Sequence, residues 1–464
     1  MRICERALNH IQVIDAEGTV RICSWEYDGG VIGRLSQNTM EEIYNSEEAK
    51  LIRKMHFDKN YANCNPNACP YVANNSVDEH SIDVEEVPRL PQELYLAYEN
   101  VCNYHCVTCT IPDCMNLNKD KQAELEQKYD KIDEELRKVL PYVKVLGANG
   151  QGEFFVSKHI MNLMNSWEPV ADPSECWAHI ETNGSLFNEK NWEKIRNLRR
   201  FNLATAITVM SFDEKSYQDL SGTKLPVSNI EENLRFVKHL RETGEIKYLE
   251  LATVYQLGNF RDLPEFTRRC IEEFGADSVR LRPYEPWVDP GIDDWMRDVR
   301  NADNPYHQEF LEIMKAPIFK HPKVHDWGGG LESGLGKQIY PKAMGQFRLI
   351  ERIMKIDQFA DKVRNYLGSE RVVVYAVTTL GRFLVNVLQN AFEIPYLLDR
   401  DHAGENYNGI RINGVTNLSN LDKDVPVIIS LTTKSGDMVK EMLAFAGYEK
   451  KIIKLSELMD ALEQ

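Results

Sequence analysis

Between residues 119 and 140, apolar side chains recur at Leu125, Tyr129, Ile132, Leu136 and Val139, a spacing of three and four that gathers them on one helical face. The same reading predicts helices at 157–167, 188–198, 228–242 and 263–274. Short apolar runs of strand length alternate with them at 94–98, 143–146, 178–182, 203–210, 249–254 and 278–282. Six strands alternating with helices predict a parallel sheet, open or curled into a partial (β/α)6 barrel. The pattern changes on both sides of this stretch. Residues 1–89 are turn-rich and rich in cysteine, with apolar runs at 11–14 and 19–23 flanking Glu17-Gly18 as a short hairpin, and Pro88 and Pro91 punctuating the end. Residues 291–370 are mixed, a helical or irregular connection in which Trp327-Gly-Gly-Gly330 reads as a loop and 346–366 as a helix. From Arg371 a second alternation begins, with strands at 372–375, 396–399 and 427–431 and helices at 380–390 and 435–446. The expected architecture is α/β throughout. A cysteine-rich module (1–89), a barrel (90–290), the connection (291–370) and a small doubly wound, Rossmann-like domain (371–464) follow one another.

Composition narrows the function classes. A chain of 464 residues that is 43% hydrophobic has apolar material for more than one core. No apolar run approaches the ~18 residues that span a bilayer, and Met1-Arg-Ile-Cys4 lacks the apolar stretch of a signal peptide, so a cytoplasmic protein is expected. Lys and Arg number 55 against 71 Asp and Glu, a net charge of −16 that argues against nucleic acid as a partner. The ten cysteines are distributed unevenly: Cys4, Cys23, Cys64, Cys69, Cys102, Cys106, Cys109 and Cys114 precede only Cys176 and Cys270. In a reducing compartment, clustering at short spacings points to metal or iron–sulfur ligation.

Cys102-Asn-Tyr-His-Cys106-Val-Thr-Cys109 follows a strand, where a parallel α/β fold places its functional loops. Three thiolates can hold three irons of a 4Fe–4S cluster and leave the fourth open to a small molecule. This C-x3-C-x2-C loop resembles that of the radical SAM enzymes, and the resemblance runs over residues 91–287. It implies that the open iron chelates S-adenosylmethionine (SAM), and that one electron cleaves SAM to methionine and a 5′-deoxyadenosyl radical. Gly150-Gln-Gly152-Glu153 resembles the family's glycine-rich motif for the SAM amine, with Glu153 as partner of the ammonium. Thr182-Asn183-Gly184 is similar to a strand-ending Thr-Asn-Gly of many members. Ser211-Phe-Asp213 matches a Ser-x-Asp whose serine contacts the SAM carboxylate. Val279-Arg-Leu-Arg282-Pro283 resembles the strand beside adenine, which adds Arg282 to the cofactor-side candidates, while Thr108 stands where an aromatic or bulky apolar residue often packs.

Cys4, Cys23, Cys64 and Cys69 form a second set, two around the hairpin and two on a later loop. They suit a closed four-cysteine site for zinc or an auxiliary 4Fe–4S cluster. The spacing of Cys4, Gly18 and Cys23 resembles SPASM/twitch modules, as do Ile32-Gly-Arg-Leu35 and Glu41-Glu-Ile-Tyr44, although such modules usually follow the barrel. Four cysteines provide for one cluster. Cys114 is expected near the active face, as an auxiliary ligand, a hydrogen-atom donor or a buried thiol. Cys176 points to the far end of the barrel and Cys270 to a helix core, and His105 is a spacer in the cluster loop. In the last domain, Ala376-Val-Thr378-Thr-Leu-Gly381 keeps only the third glycine of a dinucleotide turn, with Asp399 in the ribose position. A docking or substrate-recognition role is therefore expected ahead of nucleotide binding.

The resemblance implies hydrogen abstraction from a small polar substrate, such as a sugar or sugar nucleotide, with the auxiliary cluster assisting. A low-potential donor such as flavodoxin or ferredoxin would supply the electron. Maturation of a ribosomally made peptide is the alternative. A non-catalytic electron-transfer or scaffold protein is disfavoured, because an electron carrier needs no SAM pocket.

Overall fold

The computed structural model describes residues 2–24, 30–61, 63–64, 69–109, 119–148, 150–284, 296–326, 346, 349–400, 402–414, 418–431 and 435–463. The N-terminal part contains β1 (Arg2–Cys4), α1 (Glu5–Asn9), β2 (His10–Ile14), β3 (Thr19–Ile22), β4 (Val31–Arg34), α2 (Met40–Tyr44), α3 (Glu47–Phe57), α4 (Pro70–Ala73) and β5 (Ser81–Asp83). Capping fixes the starts of two helices. Thr39 and Glu42 form a capping box on α2, and the Ser46 side chain accepts from the Ala49 N–H at the start of α3.

The central part alternates as the periodicity predicts: β6 (Glu93–Ala97), α5 (Lys119–Val139), β7 (Val145–Ala148), α6 (Lys158–Asn165), β8 (Trp177–Thr182), α7 (Glu189–Trp192), β9 (Asn202–Thr208), α8 (Glu214–Ser221), α9 (Val227–Glu242), β10 (Tyr248–Tyr255), α10 (Leu263–Glu272) and β11 (Ser278–Pro283). Strands β6 to β11 pair in chain order and all in parallel, and β6 does not meet β11, so the sheet is an open, partial barrel. Leu94, Leu146, Ile180, Leu203, Leu251 and Leu281 are fully buried on one face, while Tyr95, His179, Glu181 and Arg280 alternate with them on the other. The expected helix at 188–198 is shorter. After α7 the chain turns 3-10 over Glu193–Arg200 with Ile195 out of helical geometry, and the Arg199 guanidinium donates to the Trp192 carbonyl. The helix expected at 346–366 is broken before Phe359–Leu367, where Gln358 has φ +53°.

Both edges of the barrel are extended. Beyond β11 lies β12 (Val324–Asp326), a three-residue strand too short for the sequence pattern to reveal. On the other side β2 runs parallel to β6, and β3 and β4 continue antiparallel. The hairpin set apart as a separate module therefore shares the barrel's sheet and covers the unpaired edge of β6.

The C-terminal part has β13 (Val373–Tyr375), β14 (Leu397–Leu398), β15 (Asn406–Tyr407), β16 (Ile410–Asn413), β17 (Val427–Ile429) and β18 (Ile452–Lys454), in the order β15-β16-β14-β13-β17-β18. Only the β15–β16 hairpin is antiparallel, so the sheet is doubly wound around β13. It packs on α3: Leu51 and Met55 join Met442 and Phe445 around one small apolar cavity, Lys54 Nζ lies 4.7 Å from the centre of the Phe445 ring, and Arg34 donates to the Ala403 carbonyl at 2.8 Å. Among the described residues no helix is long and apolar enough to cross a membrane.

Candidate functional site

The cluster loop leaves β6 at Tyr98 and is held from behind by the end of α8. The His105 N–H donates to the Ser221 carbonyl and the Val107 N–H to the Leu220 carbonyl, both at 3.0 Å. These carbonyls belong to the last turn of α8 and lack helical partners. Gly222 ends the helix at φ +62°, and a Cβ there would lie 2.3 Å from the His105 carbonyl oxygen. Tyr104 and Tyr217 tie the same two segments together through their hydroxyls. His105 thus contributes its backbone to the loop's support.

Cys102 and Cys106 are half-buried and Cys109 is exposed. Burial pushes Cys102 up to about 11 and Cys106 up to about 12, with the neighbouring thiols adding to both. Such thiols keep their protons until a metal displaces them. The Tyr104 N–H, 3.4 Å from Cys102 Sγ, and Asn183 Nδ2, 3.8 Å from it, are donors ready for a thiolate. No group of three or more His, Cys, Asp or Glu among the described residues is placed to hold one metal ion. A four-iron cluster makes a different demand, since each cysteine binds its own iron, and the donor set fits one.

Glu153 joins the other motifs to this loop. Its N–H donates to the Val101 carbonyl at 2.7 Å. Gly152 approaches the same carbonyl so closely, at φ +131°, that a Cβ would come to 2.9 Å. The fully buried carboxylate accepts from Thr182 Oγ1 at 2.6 Å, the Asn183 N–H at 2.7 Å and the Phe155 N–H at 3.2 Å. Burial raises its pKa, and these donors oppose the shift. Three of a carboxylate's roughly four acceptor positions are filled, which leaves room for one more donor. Asn183 in turn donates to Asn103 at 2.9 Å and accepts from Ser185, while Asn233 donates to the Gly184 and Ser185 carbonyls at 2.8 Å. Gly150 donates its N–H to Glu181 at 2.8 Å.

Ser211 is buried, donates to Asp262 at 3.2 Å and accepts from the Asp213 N–H at 3.0 Å. Asp213 caps α8 by accepting from the Ser216 N–H at 2.8 Å. Arg282 lies half-buried on β11, one position past the Arg280–Glu250 ion pair of 2.7 Å on the same strand face. On that face Tyr95 and His179 hydrogen-bond at 3.0 Å over Gly147, whose missing side chain makes space for the tyrosine ring. Asn103, Ser185, Tyr217 and Asn233 carry no motif signal of their own.

In the N-terminal part, Cys4 ends β1 and its thiol is pushed up by burial, with a further contribution from Cys69. Tyr61 lies within electrostatic reach of both Cys4 and Cys64. Cys23 follows β3 at φ +64° and donates its N–H to the His10 carbonyl at 2.8 Å. Cys64 Sγ is 3.6 Å from His56 Nε2. These four thiols are likewise not gathered around one metal ion, and a four-iron cluster, in which each cysteine binds its own iron, fits the segment better than zinc. Cys176 and Cys270 are fully buried, before β8 and within α10, and Cys114 lies outside the described residues. In the C-terminal part the Asp399 carboxylate accepts from the N–H groups of Val377 at 2.6 Å and His402 at 3.0 Å, so it closes the β13 turn.

No curated protein matches the chain. A solved structure of TYW1 with a lysine–pyruvate adduct is 17% identical, covering 48% of this chain and 70% of that one at a TM-score of 0.32. The crystal structure of Streptococcus suis SuiB bound to S-adenosylmethionine is 14% identical, covering 77% of each chain at a TM-score of 0.33. The segment that matches a family is the N-terminal one: residues 4–70, which include Cys4, Cys23, Cys64 and Cys69, match the SPASM iron–sulfur cluster-binding domain.

Proposed function

We propose that the chain is a radical SAM enzyme that abstracts hydrogen from a small polar molecule, with an auxiliary cluster in residues 4–70. The observation that carries the reading is the convergence on Cys102. The three-thiol loop, the Gly150–Glu153 turn and the Thr182–Asn183 strand end meet there through the Glu153 carboxylate and the Asn183 amide. Cys102, Cys106 and Cys109 would hold the cluster, with Glu153 and Ser211 toward SAM. When bound, the cluster and SAM supply reductive cleavage and a hydrogen-abstracting radical. The chain's own part is to fix the loop against α8, supply donors to the sulfurs and offer a polar strand face to substrate. Tyr95, His179, Glu181 and the Glu250–Arg280 pair on that face support a polar substrate, such as a sugar or sugar nucleotide. The SPASM match supports peptide maturation as a second reading, since modules of this type accompany such enzymes.

The test is anaerobic reconstitution. About eight irons per chain are expected, four for each cluster, and the Cys102→Ala, Cys106→Ala, Cys109→Ala triple variant should retain about four. With a strong reductant the wild type should release 5′-deoxyadenosine from SAM and Cys106→Ala should release none. Release by that variant would overturn the reading. Zinc without iron in the triple variant would overturn the auxiliary cluster.

A further inference from the structure

His56 sits near the C-terminal end of α3, 3% exposed, with its ring edge-on to Tyr61 at 5.4 Å between centroids. A histidine that deep in a helix ordinarily satisfies both ring nitrogens. This one does not. Among the described residues Nδ1 is buried without a hydrogen-bond partner, and the ring's polar contact is Nε2 to Cys64 Sγ at 3.6 Å. A buried N–H left without an acceptor costs more than a bare lone pair, so the proton of the neutral ring belongs on Nε2, facing the sulfur. The ring has little freedom to turn away. Its helix is gripped by the C-terminal domain through Leu51 and Met55, and Ile52, which lines the same small cavity, is also buried in the core shared with Cys4 and Cys69.

We propose that His56 is a positioning residue of the N-terminal cysteine site, donating its Nε2–H to Cys64 Sγ and so raising the reduction potential of the cluster that Cys64 holds. The inference rests on the auxiliary-cluster reading. Hydrogen bonds to cluster sulfurs favour the reduced, more negative state, and they are among the levers that set such potentials. The geometry assigns the lever to one side chain outside the four-cysteine set.

The experiment uses the full-length Cys102→Ala, Cys106→Ala, Cys109→Ala chain, in which only the auxiliary cluster remains, and titrates it with dithionite while following its paramagnetic resonance. His56→Leu removes the donor, whereas His56→Gln keeps an N–H at similar reach. All three proteins should hold about four irons. His56→Leu should shift the reduction equilibrium about tenfold toward the oxidised state, 59 mV for a one-electron couple, and His56→Gln should restore most of it. In the parent chain with ¹⁵N-labelled histidine, a weak nitrogen coupling should appear in the spectrum of the reduced cluster and vanish in His56→Gln. An unchanged potential in His56→Leu would overturn the proposal, as would an absent coupling in the parent. Loss of iron from both folded His56 variants would make His56 a ligand and overturn it as well. A parent chain without iron would instead fail the auxiliary-cluster reading, and His56's role with it.

Discussion

Two glycines with the same backbone angle separate the cost of a conformation from the cost of a displaced loop. Gly222 and Gly368 both end helices at φ +62°. Alanine in that region costs about 1–2 kcal/mol at either position. Around Gly368 no atom lies within 4 Å of the added Cβ, so Gly368→Ala should lose only that amount. At Gly222 the Cβ would meet the His105 carbonyl oxygen at 2.3 Å and its carbon at 2.8 Å, both backbone atoms. Relief requires the cluster loop to draw back, which breaks the His105–Ser221 and Val107–Leu220 hydrogen bonds. Two backbone bonds at about 0.5–1.5 kcal/mol each bring the expected loss for Gly222→Ala to about 2–5 kcal/mol.

The loss should also be local. Anaerobic urea denaturation gives the stabilities, and iron per chain gives the consequence for the loop. Gly368→Ala should keep the full complement of about eight irons, and Gly222→Ala should fall toward the four of the N-terminal site. Circular dichroism at 20 °C distinguishes a displaced loop from a global failure to fold. Equal stability losses with equal iron contents would refute the reasoning, because the end of α8 would then not be what holds Cys106 and Cys109 in place.

Other groups give separate tests. Glu153→Gln should weaken SAM binding in anaerobic calorimetry by about 1.5–3 kcal/mol, while Thr182→Val, which removes one anchor of that carboxylate but keeps its charge, should leave SAM affinity nearly unchanged; equal affinity in Glu153→Gln would take Glu153 out of the SAM site. His159 is held between Asp133 at 3.0 Å and Glu126 at 2.9 Å, and its bond to Asp133 raises its pKa to about 9. Stabilisation from a histidine raised on folding is complete below about pH 6.5 and is lost as pH rises through the folded value. Because Glu126 is 61% exposed and screened, the wild type should lose about 1–2 kcal/mol more than His159→Gln between pH 6 and 9.5, and parallel urea midpoints would refute the pairing. Calorimetry of the full-length chain with NAD should show no micromolar binding, since Asp399 is engaged by Val377 and His402; such binding would overturn the docking or substrate-recognition role expected of the C-terminal domain.

The strand–helix alternation was legible because the barrel's six strands are short apolar runs and α5 carries a clean helical stripe ending in the buried Ile132, Leu136 and Val139. The motifs were legible for a related reason: they fall at strand ends, where parallel topology gathers loops from distant parts of the chain. The supports behind them were not. Tyr217 and Gly222 lie more than a hundred residues from the loop they brace, and Asn233, which fastens Gly184 and Ser185, is an unremarkable polar residue in the middle of α9. Pairing of β2 with β6 escaped for a different reason. An edge strand's partner is set by which backbone groups remain unpaired once the barrel forms, and neither segment's own pattern records that.

Ser211-Phe-Asp213 shows how a motif and its support become one device. The sequence assigns the triplet to SAM, whereas the structure gives Asp213 the N-terminal cap of α8 and Ser211 the bond that steadies Asp213. The far end of that helix, eight residues on, receives the backbone N–H groups of the cluster loop. The cofactor contact proposed for Ser211 and the seating of Cys106 are thus joined by one short, capped helix. Asp213→Ala would loosen the cap by about 1 kcal/mol, and the disturbance would reach the irons only through the α8 terminus. Asp213→Asn, which can still accept from the Ser216 N–H, should therefore retain the iron content that Asp213→Ala loses. Equal iron in the two variants would show that the helix does not transmit the cap's position to the loop.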